Sequence, residues 1–140
     1  MVGALSTETR KNQMMDLKDL RVYQRAMTIA ENVWTEVRSW DRFSRDTIGK
    51  QFVRAVDSIA ANISEGNGRF HYGENRQFCH YARGSLEETK TWLAKAESRD
   101  LISSSQASIL RNEINILARM LNAYIRTIGR SQHNAPQKSR

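Results

Sequence analysis

Proline is almost missing from this 140-residue chain: the one present, Pro136, stands near the end, so every position before it is free of the strongest helix breaker. Long helices are therefore permitted throughout. Cysteine is as scarce. Cys79 alone cannot form an intrachain disulfide, which excludes a small disulfide-stapled module. No run of about twenty apolar residues is present to span a bilayer, so no membrane partner is expected. Met1 to Met15 lack the basic end and continuous apolar stretch of a secretory signal, and a cytoplasmic location is the expectation. Acidic residues are the minority charge: 15 Asp and Glu face 22 Lys and Arg, a formal net charge of +7 that favours anionic partners.

Hydrophobic residues make up 39% of the chain and charged residues 26%, enough to fold around one core and too little chain for two. Residues 1–15 carry no helical period and read as a frayed leader, with Met14 and Met15 as alternative translation starts. From Asp16 the pattern changes. Leu20, Tyr23, Met27, Ala30, Trp34 and Val37 recur at steps of three and four, which predicts a first helix with these residues inward, ending near Ser39. Trp40 to Thr47 reads as a connection whose aromatics cap the bundle end. A second helix is expected from about Thr47 to Glu65, with Phe52, Val56, Ile59 and Ile63 inward, stopped by a left-handed Gly66 and by Gly68.

The third helix is expected from Tyr72–Glu74 to about Asp100, with Phe78, Tyr81, Leu86, Leu93 and Ala96 inward. Gly84 in its middle suggests close approach of another helix. Ser103, Ser104 and Ser105 offer N-cap oxygens for a fourth helix running to about Gly129. Beyond it, residues 131–140 read as a basic tail. The expected fold class is all-α: an up-down-up-down four-helix bundle over residues 16–130, with no strand and no internal repeat.

The fourth helix carries two unlike surfaces. Leu110, Ile114, Ile116, Leu117, Met120, Leu121, Tyr124, Ile125 and Ile128 spread over roughly 180 degrees, wider than the ~100 degree stripe one core needs. That excess points to a subunit contact; the alternative is a helix sunk deep among its own neighbours. On the other side Arg119, Arg126 and Arg130 fall close together by helical projection, with Arg111 on the flank. Between Ser103 and Arg140 the positive residues are Arg111, Arg119, Arg126, Arg130, Lys138 and Arg140 against Glu113 alone, a net +5 of the chain's +7. A merely solvated face normally mixes both signs, so these six are the candidate nucleic-acid contacts, with simple solubility as the alternative. Gln51, Arg54, Ser58, Asn62 and Glu65 share the polar side of the second helix, where carboxylate, amide and guanidinium can bond to one another. A registering network is the expected role; lining a groove or channel is the other.

The run from Gln51 to Arg69 has the pattern QxxRAxxSIxxNIxEGxGR. It resembles the signature of the four-helix-bundle proteins encoded in intervening sequences of large-subunit ribosomal RNA genes. The resemblance continues at Asp19–Tyr23 and at Phe78 and Tyr81–Glu88, and covers Asp16 to about Gly129. On it, Gln51, Arg54, Ser58, Asn62, Glu65, Gly66, Gly68 and Arg69 are motif residues of structural weight. The resemblance implies a basic bundle that assembles as a ring of five subunits without a known catalytic activity. Relatives of the same fold are accessory variability proteins of diversity-generating retroelements, which bind a reverse transcriptase and nucleic acid.

Catalytic chemistry is not expected. His71, His80 and His133 lack the short helical spacing of a zinc site, and Cys79 beside His80 points elsewhere on a helix. The glycines at 66 and 68 follow a helix with no strand before them, unlike a phosphate loop. Trp34, Trp40 and Trp92 are expected in core and rim packing. The leading expectation is a non-enzymatic homo-oligomeric nucleic-acid-binding accessory protein with no metal or cofactor. The rival is a scaffold that recruits a protein partner such as a reverse transcriptase.

Overall fold

The computed structural model describes residues 16–69 and 71–134, and among them every regular element is helical. A 3-10 turn, Leu17–Asp19, leads into α1, Arg21–Arg38. An α-turn at Arg42–Ser44 and a π-turn at Arg45–Gly49 run directly into α2, Lys50–Asn67. Then follow α3, Tyr72–Ser98, and α4, Ser104–Asn134. Consecutive helices are antiparallel. Near one turn Gly66 lies against Asn75 and Phe78, while farther along Ser58 bonds Ser85. Arg111 pairs with Glu97 at one end of the α3–α4 seam, and Asn75 meets Tyr124 at the other. Since α1 also packs on α4, the four long helices close into a square bundle around one core.

The core is built from β-branched and small side chains on α1 and α2. On α1 the inward stripe is Val22, Ala26, Ile29, Val33 and Val37. Of the expected stripe, Leu20, Ala30 and Val37 are buried and Tyr23 is half-buried, but Met27 is 42% exposed and Trp34 50% exposed. Two apolar stripes lie side by side on α1, and period alone cannot choose between them. Narrow residues win the inner position because helices pack closely only where side chains are small or interdigitate. On α2, Phe52, Val56, Ile59 and Ile63 are buried as expected.

The stretch from Trp40 to Thr47 is mostly helical where a connection was expected. The Asp41 carboxylate accepts the backbone amide of Ser44 at 3.2 Å, an N-cap that starts the new helix at once. Hydrogen bonding from the Ser44 side chain first, and from its backbone amide second, holds the carboxyl below its usual range. Trp40 does close the bundle end, its ring stacked on Phe52 with centroids 6.3 Å apart. Phe43 does not; it is 76% exposed.

The left-handed stop expected at Gly66 is absent, since no glycine among the described residues has positive φ. Gly66 is helical and buried for another reason. A Cβ there would sit 2.7 Å from Asn75 Oδ1 and 2.9 Å from the Asn75 carbonyl oxygen, so α3 crosses directly over it. The left-handed residue is Asp100, φ 57, just after α3. Its amide donates to Glu97 O and that of Leu101 to Ala96 O, the paired bonds of a Schellman stop. Aspartate tolerates that conformation better than most residues.

Three further expectations change. Gly84 has nothing within 4 Å of a Cβ position, so no helix of the same chain approaches it. The inner face of α3 is Cys79, Ala82, Leu86, Thr89, Leu93 and Ala96, while Phe78 is half-buried and Tyr81 is exposed. On α4, Ser103 is the cap, its Oγ accepting the Gln106 amide at 3.2 Å, and the helix passes Gly129 to reach Asn134.

The broad apolar arc of α4 is absorbed by its own bundle. Leu110, Ile114, Leu117, Leu121, Ile125 and Ile128 are buried, and Ile116, Met120 and Tyr124 are half-buried. The exposed large apolar residues are Met27, Trp34, Phe43, Tyr81 and, on α4 but outside that arc, Ile109. A helix wedged between α1 and α3 has two walls to cover, which accounts for the width of its stripe.

Replacing Gly66 with alanine should force the α2–α3 crossing apart and cost about 1–3 kcal/mol. Urea denaturation followed by circular dichroism measures this, and an unchanged midpoint would contradict the close approach.

Candidate nucleic-acid interface

The inward set Ala107, Leu110, Ile114, Leu117, Leu121 orients α4 by period, so the opposite side faces solvent. That side carries Ser108, Asn112, Asn115, Arg119 and Arg126, all exposed, and half-buried Asn122. No carboxylate interrupts it. Arg119 and Arg126 stand two turns apart on one line and have no ion-pair partner among the described residues. Arg111 is different: its Nη2 lies 2.8 Å from Glu97 Oε1 on α3, so its charge is already answered within the chain. The backbone of Arg130 continues α4, but its side chain, with Lys138 and Arg140, lies outside the described residues.

The structure adds residues from the neighbouring helix. Arg83 on α3 donates through Nη1 to Asn122 Oδ1 at 3.2 Å and through Nη2 to His80 Nδ1 at 3.0 Å. An arginine only donates, so His80 Nδ1 is the acceptor of that bond. These bonds hold the Arg83 guanidinium at the seam, level with the α4 residues between Arg119 and Arg126. Arg76 lies two turns before Arg83 on the same side of α3, half-buried and without an ion-pair partner among the described residues. Arg76, His80 and Arg83 recur at i, i+4 and i+7, a spacing visible in the sequence but not read as part of the basic surface. The result is a two-helix basic seam of Arg76, Arg83, Arg119 and Arg126 with amide groups between them. Guanidinium forks, that of Arg83 held by two hydrogen bonds, beside amide donors suit the oxygens of a phosphodiester backbone.

The motif residues of α2 occupy a different face, beside α3. Ser58 Oγ bonds Ser85 Oγ across the helix pair, and Asn62 Nδ2 donates to the Ser58 carbonyl oxygen at 2.8 Å. Glu65 pairs with Arg69 at 2.9 Å, and the Arg69 guanidinium lies 5.0 Å from the Phe78 ring centroid. Gly68 ends α2 with its amide donating to Ser64 O. Gln51 is half-buried, and Arg54 is exposed without an ion pair. The bonds that do form run between neighbouring turns or across to α3, so this part of the motif registers one helix on another.

Cys79 is fully buried against Asn75, and burial pushes its thiol up to about 11. Tyr124, half-buried, is likewise raised by desolvation. His71 is exposed. Among the described residues no group of three or more His, Cys, Asp or Glu side chains could hold a metal ion. No helix among them is long and apolar enough to cross a membrane.

A square antiparallel bundle of four long helices defines the class of protein. The family described as "23S rRNA-intervening sequence protein" matches residues 18–123, and the chain belongs to that family. A solved structure of the same architecture comes from Bacteroides thetaiotaomicron VPI-5482 and is described as a protein with unknown function from the S23 ribosomal protein family. It superposes with a TM-score of 0.67 at 20% identity, over 74% of this chain and 97% of that one, a likeness of fold. No curated protein sequence matches the chain.

A thiol with a pKa of about 11 is protonated at neutral pH. Cys79 in the folded protein should react with iodoacetamide at pH 8 at least ~100-fold more slowly than in the urea-unfolded chain, since only the thiolate attacks. Rapid labelling of native protein, read by mass spectrometry, would contradict this burial.

Proposed function

We propose that this chain is a non-enzymatic, homo-oligomeric accessory protein that binds the phosphate backbone of RNA or DNA along the α3–α4 seam. The observation that carries the reading is the pair Arg119 and Arg126, exposed on one line of α4 with no carboxylate near, joined by Arg83 in a fixed pose. Surface arginines on a stable fold are usually paired or interspersed with acids, as Arg111 is with Glu97 here. Guanidinium groups held without an anion are ready for one from outside. Base edges play little part, because a convex two-helix seam offers no aromatic platform or groove-reading helix end beside these arginines.

Self-assembly is part of the proposal. Met27 and Trp34 leave large apolar area in water on α1, and Tyr81 does so on α3. Covering such side chains gains roughly 1.5–3 kcal/mol each. The family resemblance supports a ring of five, in which each seam recurs around one assembly and weak phosphate contacts add by multivalency. The family's description ties it to 23S ribosomal RNA genes, which supports RNA as the first ligand to test. The exposed apolar residues equally suit a scaffold that recruits a partner enzyme such as a reverse transcriptase.

Fluorescence anisotropy with a labelled single-stranded RNA, repeated across a salt series, separates these readings. For the native chain, affinity should fall steeply with salt. Arg119→Glu with Arg126→Glu should weaken binding at least ~10-fold and flatten the log–log salt slope by about 1.4, at ~0.7 per phosphate contact on a single strand. Arg111→Gln should do much less, its guanidinium being engaged by Glu97. Affinity insensitive to salt, or unchanged in the double variant, would remove the nucleic-acid role and leave the scaffold.

A further inference from the structure

Among the described residues Phe43 is the most exposed of the large apolar side chains, at 76%, and it stands on a turn built to stay in place. The Asp41 carboxylate caps that turn through the Ser44 amide, and Thr47 Oγ1 donates to the Phe43 carbonyl oxygen at 2.7 Å. Gly49 closes it from the other end: a Cβ there would meet Val37 Cγ1 at 2.7 Å and the Ser44 carbonyl oxygen at 3.1 Å, so the turn is pressed onto α1. Between them runs the π-turn Arg45–Gly49, a rare conformation that recurs at functional sites. A loose loop would let the ring turn inward onto the core. This one holds it out.

Free cations flank the ring. Between Arg38 and Arg54 five cations stand against two carboxylates, and both carboxylates are engaged: Asp41 by the Ser44 amide, and Asp46, one turn beyond Phe43, by Arg42 at 3.6 Å. Arg38, Arg45, Lys50 and Arg54 are exposed and have no ion-pair partner among the described residues. Arg45 stands two residues past Phe43 and Lys50 seven, roughly 10 Å at helical rise, with Arg54 one turn further along α2.

We propose that this end of the bundle is a second nucleic-acid site, where an unpaired base of a single strand stacks on the Phe43 ring while Arg45, Lys50 and Arg54 take the neighbouring phosphates. This inference rests on the nucleic-acid reading above and adds a contact to it. A planar apolar face among cations matches a ligand that joins flat rings to phosphates, and such stacking is tolerant of sequence because every base has a π face. Bases inside a duplex are already stacked on one another, so the single strand is the form that fits. A side chain this far into solvent encloses no small molecule; affinity comes from contacts spread along a strand. An acidic protein segment would answer the cations but give the ring no planar partner, and a second copy meeting this end face to face would set Arg45 and Lys50 against their own twins. The seam lies apart: α4 starts at this end with Ser104, and Arg119 is fifteen residues along it, about 22 Å away.

Fluorescence anisotropy on the full chain tests this with three labelled strands of equal length: oligouridylate, oligothymidylate and an abasic deoxyribose-phosphate strand. Phe43→Ala should weaken binding of the base-bearing strands at least ~5-fold, while the abasic strand, the salt slope and the thermal midpoint by circular dichroism stay unchanged. Phe43→Leu, which keeps an apolar side chain without a π face, should bind like the alanine variant, and Phe43→Trp at least as tightly as the native chain. Arg45→Gln with Lys50→Gln should flatten the log–log salt slope by about 1.4, at ~0.7 per phosphate contact. A loss confined to oligouridylate assigns the site to RNA, and one confined to oligothymidylate assigns it to DNA. A native chain that binds no strand would remove the nucleic-acid reading and this inference with it. Binding lost in the Arg119→Glu, Arg126→Glu double variant but unchanged in Phe43→Ala would overturn this inference alone. An equal loss on the abasic strand, or a leucine variant that binds as the native chain does, would exclude stacking.

Discussion

The close crossing of α2 and α3 at Gly66 governs much else in this molecule. With Asn75 against the bare glycine, the two helices approach near their shared turn, and the Ser58–Ser85 bond sets their register farther along. Once α3 is fixed at that depth, Cys79, Ala82, Leu86 and Leu93 must face the core and Tyr81 must face out. The same rotation places Arg76, His80 and Arg83 at the seam with α4. The basic seam is thus set by a packing contact on the opposite side of the helix.

The bundle divides its surface by chemistry. Polar motif residues of α2 are spent largely on short-range order, through Ser58 to Ser85, Asn62 to Ser58 and Glu65 to Arg69. Side-chain bonds of this kind contribute modestly to stability, about 1 kcal/mol each, but they exclude other helix registers. The α3–α4 seam has the opposite character: Arg83 bonds an amide and an imidazole, and among the described residues no carboxylate lies within ion-pair distance of Arg83, Arg119 or Arg126. Arg111 shows the contrast within a single helix, since one glutamate on the adjacent α3 turn is enough to occupy it.

Helix content, the four-helix topology, the serine cap of α4 and the core of α2 were all legible in the chain, because period-3.6 patterning and capping chemistry are local properties. Membership of the 23S rRNA-intervening sequence protein family was legible in the run from Gln51 to Arg69. Less was readable where two local solutions compete. α1 carries adjacent apolar stripes and shows Met27 and Trp34 to solvent. Gly66 and Gly84 look alike as helix glycines, yet one is crossed by α3 and the other touches nothing. Of the six expected basic contacts, Arg111 is paired and Arg119 and Arg126 are free of acids, while Arg83 joins from another helix.

The sequence by itself determined that this is an all-helical, basic bundle, since helix periodicity, the near absence of proline and the charge excess need no knowledge of what touches what. Only tertiary structure decided which stripe of α1 is inside, which glycine permits a crossing, and which arginines share a surface. Those are questions of phase and neighbourhood. They depend on how closely one helix axis approaches another, a distance that side-chain volumes on both partners set together.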